Sequence, residues 1–128
     1  MSSTINHDKY PWNRKGNLRI DTPFENGEQI LKCPVCDFEF THIENVSTFA
    51  RTEDEDTHME TRVDLNTSET TTKKVNGHGN NPSGRRNGLI LHGHCEQGHV
   101  FDVEIFQHKG QTYFECIHKR TMNLDEEV

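Results

Sequence analysis

Apolar residues are scarce in this 128-residue chain, at 30% of the total. So few leave room for one small core, and hence for one domain at most with polar tails. A core of that size usually needs a staple such as a metal. Long hydrophobic runs are missing as well. None approaches the ~18 residues of a membrane-spanning helix, and nothing resembles a signal peptide, so a cytoplasmic location is expected.

Basic residues are in the minority. Lys and Arg number 14 against 21 Asp and Glu, a formal net charge of −7. Nucleic-acid binding draws most of its free energy from cations that displace counterions around phosphates. The balance therefore leans toward protein partners with basic surfaces. Catalytic signatures are missing too. There is no H-E-x-x-H, no deaminase H-x-E…P-C-x-x-C, no Gly-rich phosphate loop and no serine-nucleophile elbow. No βαβ pattern surrounds Cys33-Pro34-Val35-Cys36 to suggest a redox motif. The chain is not expected to be an enzyme.

Two short stretches, roughly sixty residues apart, stand out against these absences: Cys33-Pro34-Val35-Cys36 and Cys95-Glu96-Gln97-Gly98-His99. Cysteines with two residues between them turn back in a tight knuckle and grip one ion from one side. Cys95 and His99, arranged around a glycine, can grip it from the other. Four such donors suit tetrahedral zinc in a Cys3His set. Without a signal peptide, the four cysteines point to a reducing compartment and a metal rather than to disulfides. The fourth ligand place is contested by His99, His94, His92 and Cys116. His99 has the best local geometry, because Gly98 permits the turn. His94, adjacent to Cys95, points to the opposite face of a strand, and Cys116 reads as a small core residue.

The pattern of the chain predicts a mainly β fold: a small antiparallel sheet of zinc-ribbon type with a long polar insertion between the two knuckles. Residues 1–22 read as an N-terminal arm carrying Tyr10 and Trp12, with Leu18-Arg19-Ile20 a short strand. The domain proper covers 23–117. The alternation Phe38-Glu39-Phe40-Thr41-His42 predicts a half-buried strand leaving the first knuckle toward Val46 and Phe49. Residues 51–86 hold the acidic run Glu53-Asp54-Glu55-Asp56, few large apolar groups and a Gly/Asn/Pro loop. They predict a flexible insertion or an exposed hairpin with arms at Thr61–Leu65 and Thr70–Val75. Strands follow at Gly88–His94, Val100–Phe106 and Gln111–Ile117, the last two joined by a tight turn at Lys109-Gly110. In the middle strand Phe101, Val103 and Ile105 share one face, and Asp102 and Glu104 the other. Residues 118–128 read as a charged tail.

The Cys-Pro-x-Cys knuckle followed by Phe40-Thr41-His42-Ile43-Glu44 resembles small zinc-ribbon-like proteins of phages and prophages of Gram-positive bacteria. So does the block from Gly84-Arg85-Arg86 through Cys95-Glu96-Gln97-Gly98-His99 to Gln107-His108-Lys109-Gly110-Gln111-Thr112. A small acidic phage protein with a metal is also similar in type to the anti-CRISPR class. The resemblance implies a zinc-stabilised, non-enzymatic protein of the bacterial host cytoplasm. Such a protein would bind and inhibit or modulate a host protein, for example a nucleic-acid machine such as a CRISPR effector nuclease. Expected contacts are Glu53, Asp54, Glu55, Asp56, Glu60, Asp64, Tyr10 and Trp12. The alternative is a zinc-ribbon nucleic-acid-binding regulator that uses Lys73-Lys74, Arg85-Arg86, Lys109 and Lys119-Arg120 gathered on one face.

Overall fold

The computed structural model describes residues 14–16, 18–52 and 55–118. All regular structure among them is β: β1 (Arg14–Gly16), β2 (Arg19–Asp21), β3 (Ile30–Lys32), β4 (Thr41–Ala50), β5 (Thr57–Asp64), β6 (Thr70–Asn76), β7 (Gly88–Cys95), β8 (Val100–His108) and β9 (Gln111–His118). The mainly β, antiparallel expectation holds. Seven strands form one sheet in the order β1-β9-β8-β7-β4-β5-β6, and β2 and β3 form a separate pair. The sheet is two antiparallel meanders, β4-β5-β6 and β7-β8-β9, joined where β4 pairs with β7. That pairing sets Thr41 opposite Cys95 and so brings the ends of the two knuckles together.

Turn chemistry fixes the register. Lys109 and Gly110 both adopt positive φ, 51° and 78°, between the paired residues His108 and Gln111. Two left-handed residues in a two-residue loop are what the twist of a tight hairpin demands. At the β5–β6 turn the Asp64 carboxylate accepts hydrogen bonds from the amides of Asn66 (2.9 Å) and Thr67 (3.3 Å). Ser68 turns the chain there with φ 68°.

Directly opposed residues of an antiparallel pair share a face. Leu91, Val103 and Cys116 line up across β7, β8 and β9, and with Phe101 they form the core on one side. Leu18, Leu31 and Ile105 pack against that cluster. Thr41 Oγ1 donates to the Leu31 carbonyl at 3.0 Å and ties β3 to the start of β4. The other side is buried too. Ser47, Phe49, Ile90, Asp102, Glu104 and Ile117 are all nearly inaccessible. The alternation along β8 is thus as the sequence indicates, but its acidic face is covered rather than solvated.

The strand after the first knuckle starts later than expected, and the first arm of the hairpin starts earlier, at Thr57. Residues 38–40 lie outside any strand, because the Phe38 carbonyl turns back to accept from the Cys33 amide at 3.0 Å. The strand therefore starts at Thr41. Between residues 51 and 86, β5 and β6 form a hairpin whose first strand pairs with β4 from Asn45↔Asp64 to Ala50↔Met59. The loop after it is pinned from within. Asn81 Nδ2 donates to the Arg86 carbonyl (2.9 Å) and Ser83 Oγ to the Gln107 carbonyl (2.7 Å). Asn81 and Ser83 are 2% and 0% exposed, so this polar loop is packed as a core would be.

Candidate metal centre

The first knuckle follows β3. Pro34, whose ring fixes φ, sets the turn after Cys33, and the Asp37 amide donates back to the Cys33 carbonyl at 2.9 Å. Asp37 then takes φ 69°, a left-handed conformation that a short polar side chain tolerates. Its carboxylate lies 3.1 Å from Lys32 Nζ and 3.7 Å from Arg19 Nη1, which ties the knuckle to β2 and β3. The second knuckle is the β7–β8 turn. The Cys95 amide donates to the His99 carbonyl and the Gly98 amide to the Cys95 carbonyl, both at 2.9 Å. Gly98 has φ +98°, and a β-carbon there would be strained even though the space around it is open. The Glu96 amide donates to the Phe40 carbonyl at 3.1 Å and locks the two knuckles together.

The result is a single cluster in which one donor atom from each of Cys33, Cys36, Cys95 and His99 lies within 4.8 Å of every other. Cys36 Sγ is 3.8 Å from Cys95 Sγ, and Cys95 Sγ is 3.4 Å from His99 Nδ1. A tetrahedral ion with metal–sulfur bonds of ~2.3 Å and metal–nitrogen bonds of ~2.0–2.1 Å sets sulfurs ~3.8 Å apart and sulfur and nitrogen ~3.5 Å apart. The donor set fits such an ion. All four cysteines are free, and Cys33 and Cys95 are buried while Cys36 is exposed.

Electrostatics separate the two buried thiols. Burial pushes Cys33 up to about 11, against the amides of Cys36 and Val35 that hydrogen-bond it. At Cys95 burial acts the same way, but the His99 amide, the His99 ring and the Gln97 amide outweigh it and bring the thiol down to about 7. Amides aimed at sulfur, such as Val35 N at 3.3 Å from Cys33 Sγ, are the outer hydrogen bonds that a metal-bound thiolate needs.

The other three contenders for the fourth place are elsewhere. Cys116 is 1% exposed among Phe101 and Val103, with its thiol pushed up to about 12, chiefly by burial. His94 Nδ1 pairs with Glu44 Oε2 at 2.7 Å, and its ring stacks on His42. Glu44 can reach it because β4 bulges between Ile43 and Asn45. His92 is held on both sides, by Ser47 Oγ at Nε2 and Asp102 Oδ1 at Nδ1, each 2.9 Å away. Compared with protein-family models, with curated proteins and with solved structures, the chain shows no match.

The Ser47–His92–Asp102 chain was not visible in the sequence, since its members are spread over three strands and no local motif links them. Only the register places Asn45 opposite His92 and His92 opposite Asp102. The Asp102 carboxylate accepts a hydrogen bond from Nδ1–H, so that Nε2 of the neutral ring accepts from the serine hydroxyl. These are the atoms of a hydrolytic relay. A groove of about 210 Å³, bordered among others by Asn45, Arg62, His92 and Asp102, lies alongside. Ser47, however, is 2% exposed and does not border the groove. The chain clamps β4, β7 and β8 together.

The expected partner contacts are scattered. Glu55 and Asp56 are exposed at the start of the hairpin, and Glu60 stands opposite Lys73. The Asp64 carboxylate is engaged in its own turn. Glu53, Asp54, Tyr10, Trp12, Lys119 and Arg120 lie outside the described residues. Lys73 and Lys74 are consecutive on β6 and so point to opposite faces, while Lys109 sits at the β8–β9 turn. No helix among the described residues is long and apolar enough to cross a membrane.

Proposed function

We propose that Cys33, Cys36, Cys95 and His99 hold one zinc ion as a structural staple, in a non-enzymatic protein that works by binding a host protein. The observation that carries the metal reading is the spacing of the donors, 3.8 Å between sulfurs and 3.4 Å from sulfur to nitrogen. Thiolates favour zinc over hard cations, and four protein donors leave no open position for water or substrate. Zinc here supplies folding free energy by closing a loop of about sixty residues, as structural zinc does in small domains generally.

The partner reading rests on charge. A net charge of −7 and the exposed acidic start of the hairpin suit a basic protein surface, such as the nucleic-acid channel of an RNA-guided nuclease. An inhibitor of that kind occupies the channel or blocks the change of shape that the machine needs. X-ray absorption on zinc-loaded protein tests the first part: an S3N shell supports it, and an oxygen ligand from water sinks it. Capture from bacterial lysate across a salt series tests the second. Recovery of a basic nucleic-acid machine fits the proposal, whereas recovery of DNA alone, lost steeply with salt, replaces it with a nucleic-acid-binding regulator.

A further inference from the structure

His58 lies on β5 with its side chain turned inward, 3% exposed, against the Phe49 ring at 5.8 Å. Its Nδ1 is 3.1 Å from the Gly77 carbonyl. A carbonyl can only accept, so Nδ1 carries the proton and Nε2 is left as a bare lone pair. That Nε2 is buried and has no hydrogen-bond partner among the described residues. The 77–87 loop lies directly over it. A β-carbon on Gly79 would come 3.5 Å from His58 Nε2, 3.3 Å from its Cε1 and 2.8 Å from Val75 Cγ1. Only glycine, at φ +59°, lets the backbone lie this close.

We propose that His58 is a proton-operated latch: protonation at Nε2 releases the 77–87 loop from the end of the β5–β6 hairpin. Neutral imidazole is tolerated there because a lone pair facing carbon loses only one weak bond. A second N–H would be a buried donor without an acceptor, which costs the full desolvation of a charged group.

Among the described residues, the charged and titratable groups around it act on balance against the proton. From the end of β4 comes Arg51, whose guanidinium is fixed by the carbonyls of Glu55 (3.0 Å to Nε, 2.8 Å to Nη2) and Gly84 (2.8 Å to Nη1). From the loop comes His78, whose Nε2 is held 2.6 Å from the Asn81 carbonyl. Glu60, two residues along β5 on the same face, favours the proton. β4 adds Phe49, and β6 adds Val75 and, two residues along on the same face, Lys73, which stands opposite Glu60. Burial, and then Arg51, outweigh the Gly77 carbonyl and Glu60, and His58 is held below the ordinary histidine value; His78 is lowered as well, by burial, Arg51 and His58.

The sign follows by linkage. With the folded pKa below the unfolded one, the closed loop has its full stability above about pH 6.5 and loses it as the pH falls further. Opening the loop exposes Nε2 to water and separates His78 from Arg51, which relieves both penalties. Acid thus frees the polar loop without a break in the core strands.

Hydrogen exchange of the zinc-loaded full chain, compared between about pH 7.5 and about pH 5 and corrected for intrinsic rates, is the test. The hydrogen-bonded loop amides of Asn81, Ser83 and Arg86 should lose roughly tenfold or more of their protection, while those of Phe101 and Val103 keep theirs. The amides of Cys33 and Cys95 report the metal centre, and the loop should open at a higher pH than they do. His58→Asn, whose side-chain amide takes the place of Nδ1 and can donate to the Gly77 carbonyl but cannot titrate, should hold the loop closed at the lower pH. Unchanged loop protection in the wild type overturns the latch, as does simultaneous opening with the metal centre. A His58→Asn loop that still opens at the same pH overturns it too. Should that variant fail to fold, NMR titration of the wild-type ring decides: a midpoint below about 6.5 with the proton on Nδ1 is expected, and a midpoint at or above it refutes the proposal.

Discussion

Cys36 Sγ and Cys95 Sγ lie 3.8 Å apart although 59 residues separate them in the chain. Nothing covalent joins the two, and the first knuckle meets the end of β7 because Thr41, at the start of β4, pairs with Cys95. Cys33 and Cys95 are also among the most buried side chains, so the cluster is part of the core and not an ornament on it. Replacing Cys33 or Cys95 with Ser should abolish metal binding and most of the cooperative fold, since binding and folding free energy are one quantity in such sites. Cys116→Ser should leave metal stoichiometry at one per chain and cost stability through the core alone. Elemental analysis beside thermal melts checks both, and full zinc in Cys95→Ser would rule out the ligand set.

The Ser47–His92–Asp102 chain makes a prediction of its own. His92→Ala removes a partner from two buried groups, each of which costs about 1–3 kcal/mol when left short, so a clear fall in melting temperature is expected. Ser47→Ala, which removes one bond and no charge, should cost about 1 kcal/mol. Because the hydroxyl is sealed, a fluorophosphonate probe should leave Ser47 unlabelled in the native protein. A mass-spectrometric adduct on Ser47 would show that the clamp is a reactive centre after all.

Why the candidate metal ligands were legible and this chain was not is a matter of range. Cys33 and Cys36, or Cys95 and His99, declare themselves because one knuckle is a local object with its own spacing and its own turn. Ser47 and His92 meet only through the β4–β7 register, 45 residues apart, and that register includes a bulge at Glu44 which no alternation predicts. The β7-β8-β9 meander was legible for the same reason as the knuckles, through the Lys109-Gly110 turn and the two-residue period of Phe101, Val103 and Ile105. Composition misled at Asn81 and Ser83. A Gly/Asn/Pro stretch with few apolar groups looks mobile, yet here side-chain amides and hydroxyls satisfy its backbone and allow it to pack.

Gly93 marks a close approach that tolerates no side chain. A β-carbon there would sit 2.8 Å from the His42 carbonyl oxygen, 3.0 Å from Ile43 Cδ1 and 3.2 Å from the Phe101 ring. The carbonyl belongs to the backbone and cannot swing aside, so β4 would have to move away from β7 beside the bulge. Gly93→Ala should therefore destabilise by about 1–3 kcal/mol, the usual cost of overpacking. Since Cys95 is two residues further along the same strand, the variant should also bind zinc more weakly in a competition titration with a chelator. Wild-type stability in this variant would mean that the β4–β7 spacing is looser than described.

Charge should govern how fast the proposed partner is found. An acidic patch steers a basic surface during encounter, an effect that salt screens over ~8–10 Å. Glu55 and Asp56 are exposed at the mouth of the β5–β6 hairpin, next to Glu53 and Asp54 in sequence. Changing these four to Gln or Asn should slow association and flatten its dependence on salt, with little change in melting temperature because the metal centre lies at the other end of β4, beside Thr41. Asp64 should be left intact, since its carboxylate holds the β5–β6 turn and its loss would confuse folding with binding. The control is Lys73→Glu with Lys74→Glu on the exposed strand β6, which should spare a basic protein partner and abolish binding to DNA. Association rates measured by surface plasmon resonance at several salt concentrations separate the outcomes. Unchanged rates in the acidic variant together with lost binding in the lysine variant would refute the protein-partner reading and favour nucleic acid.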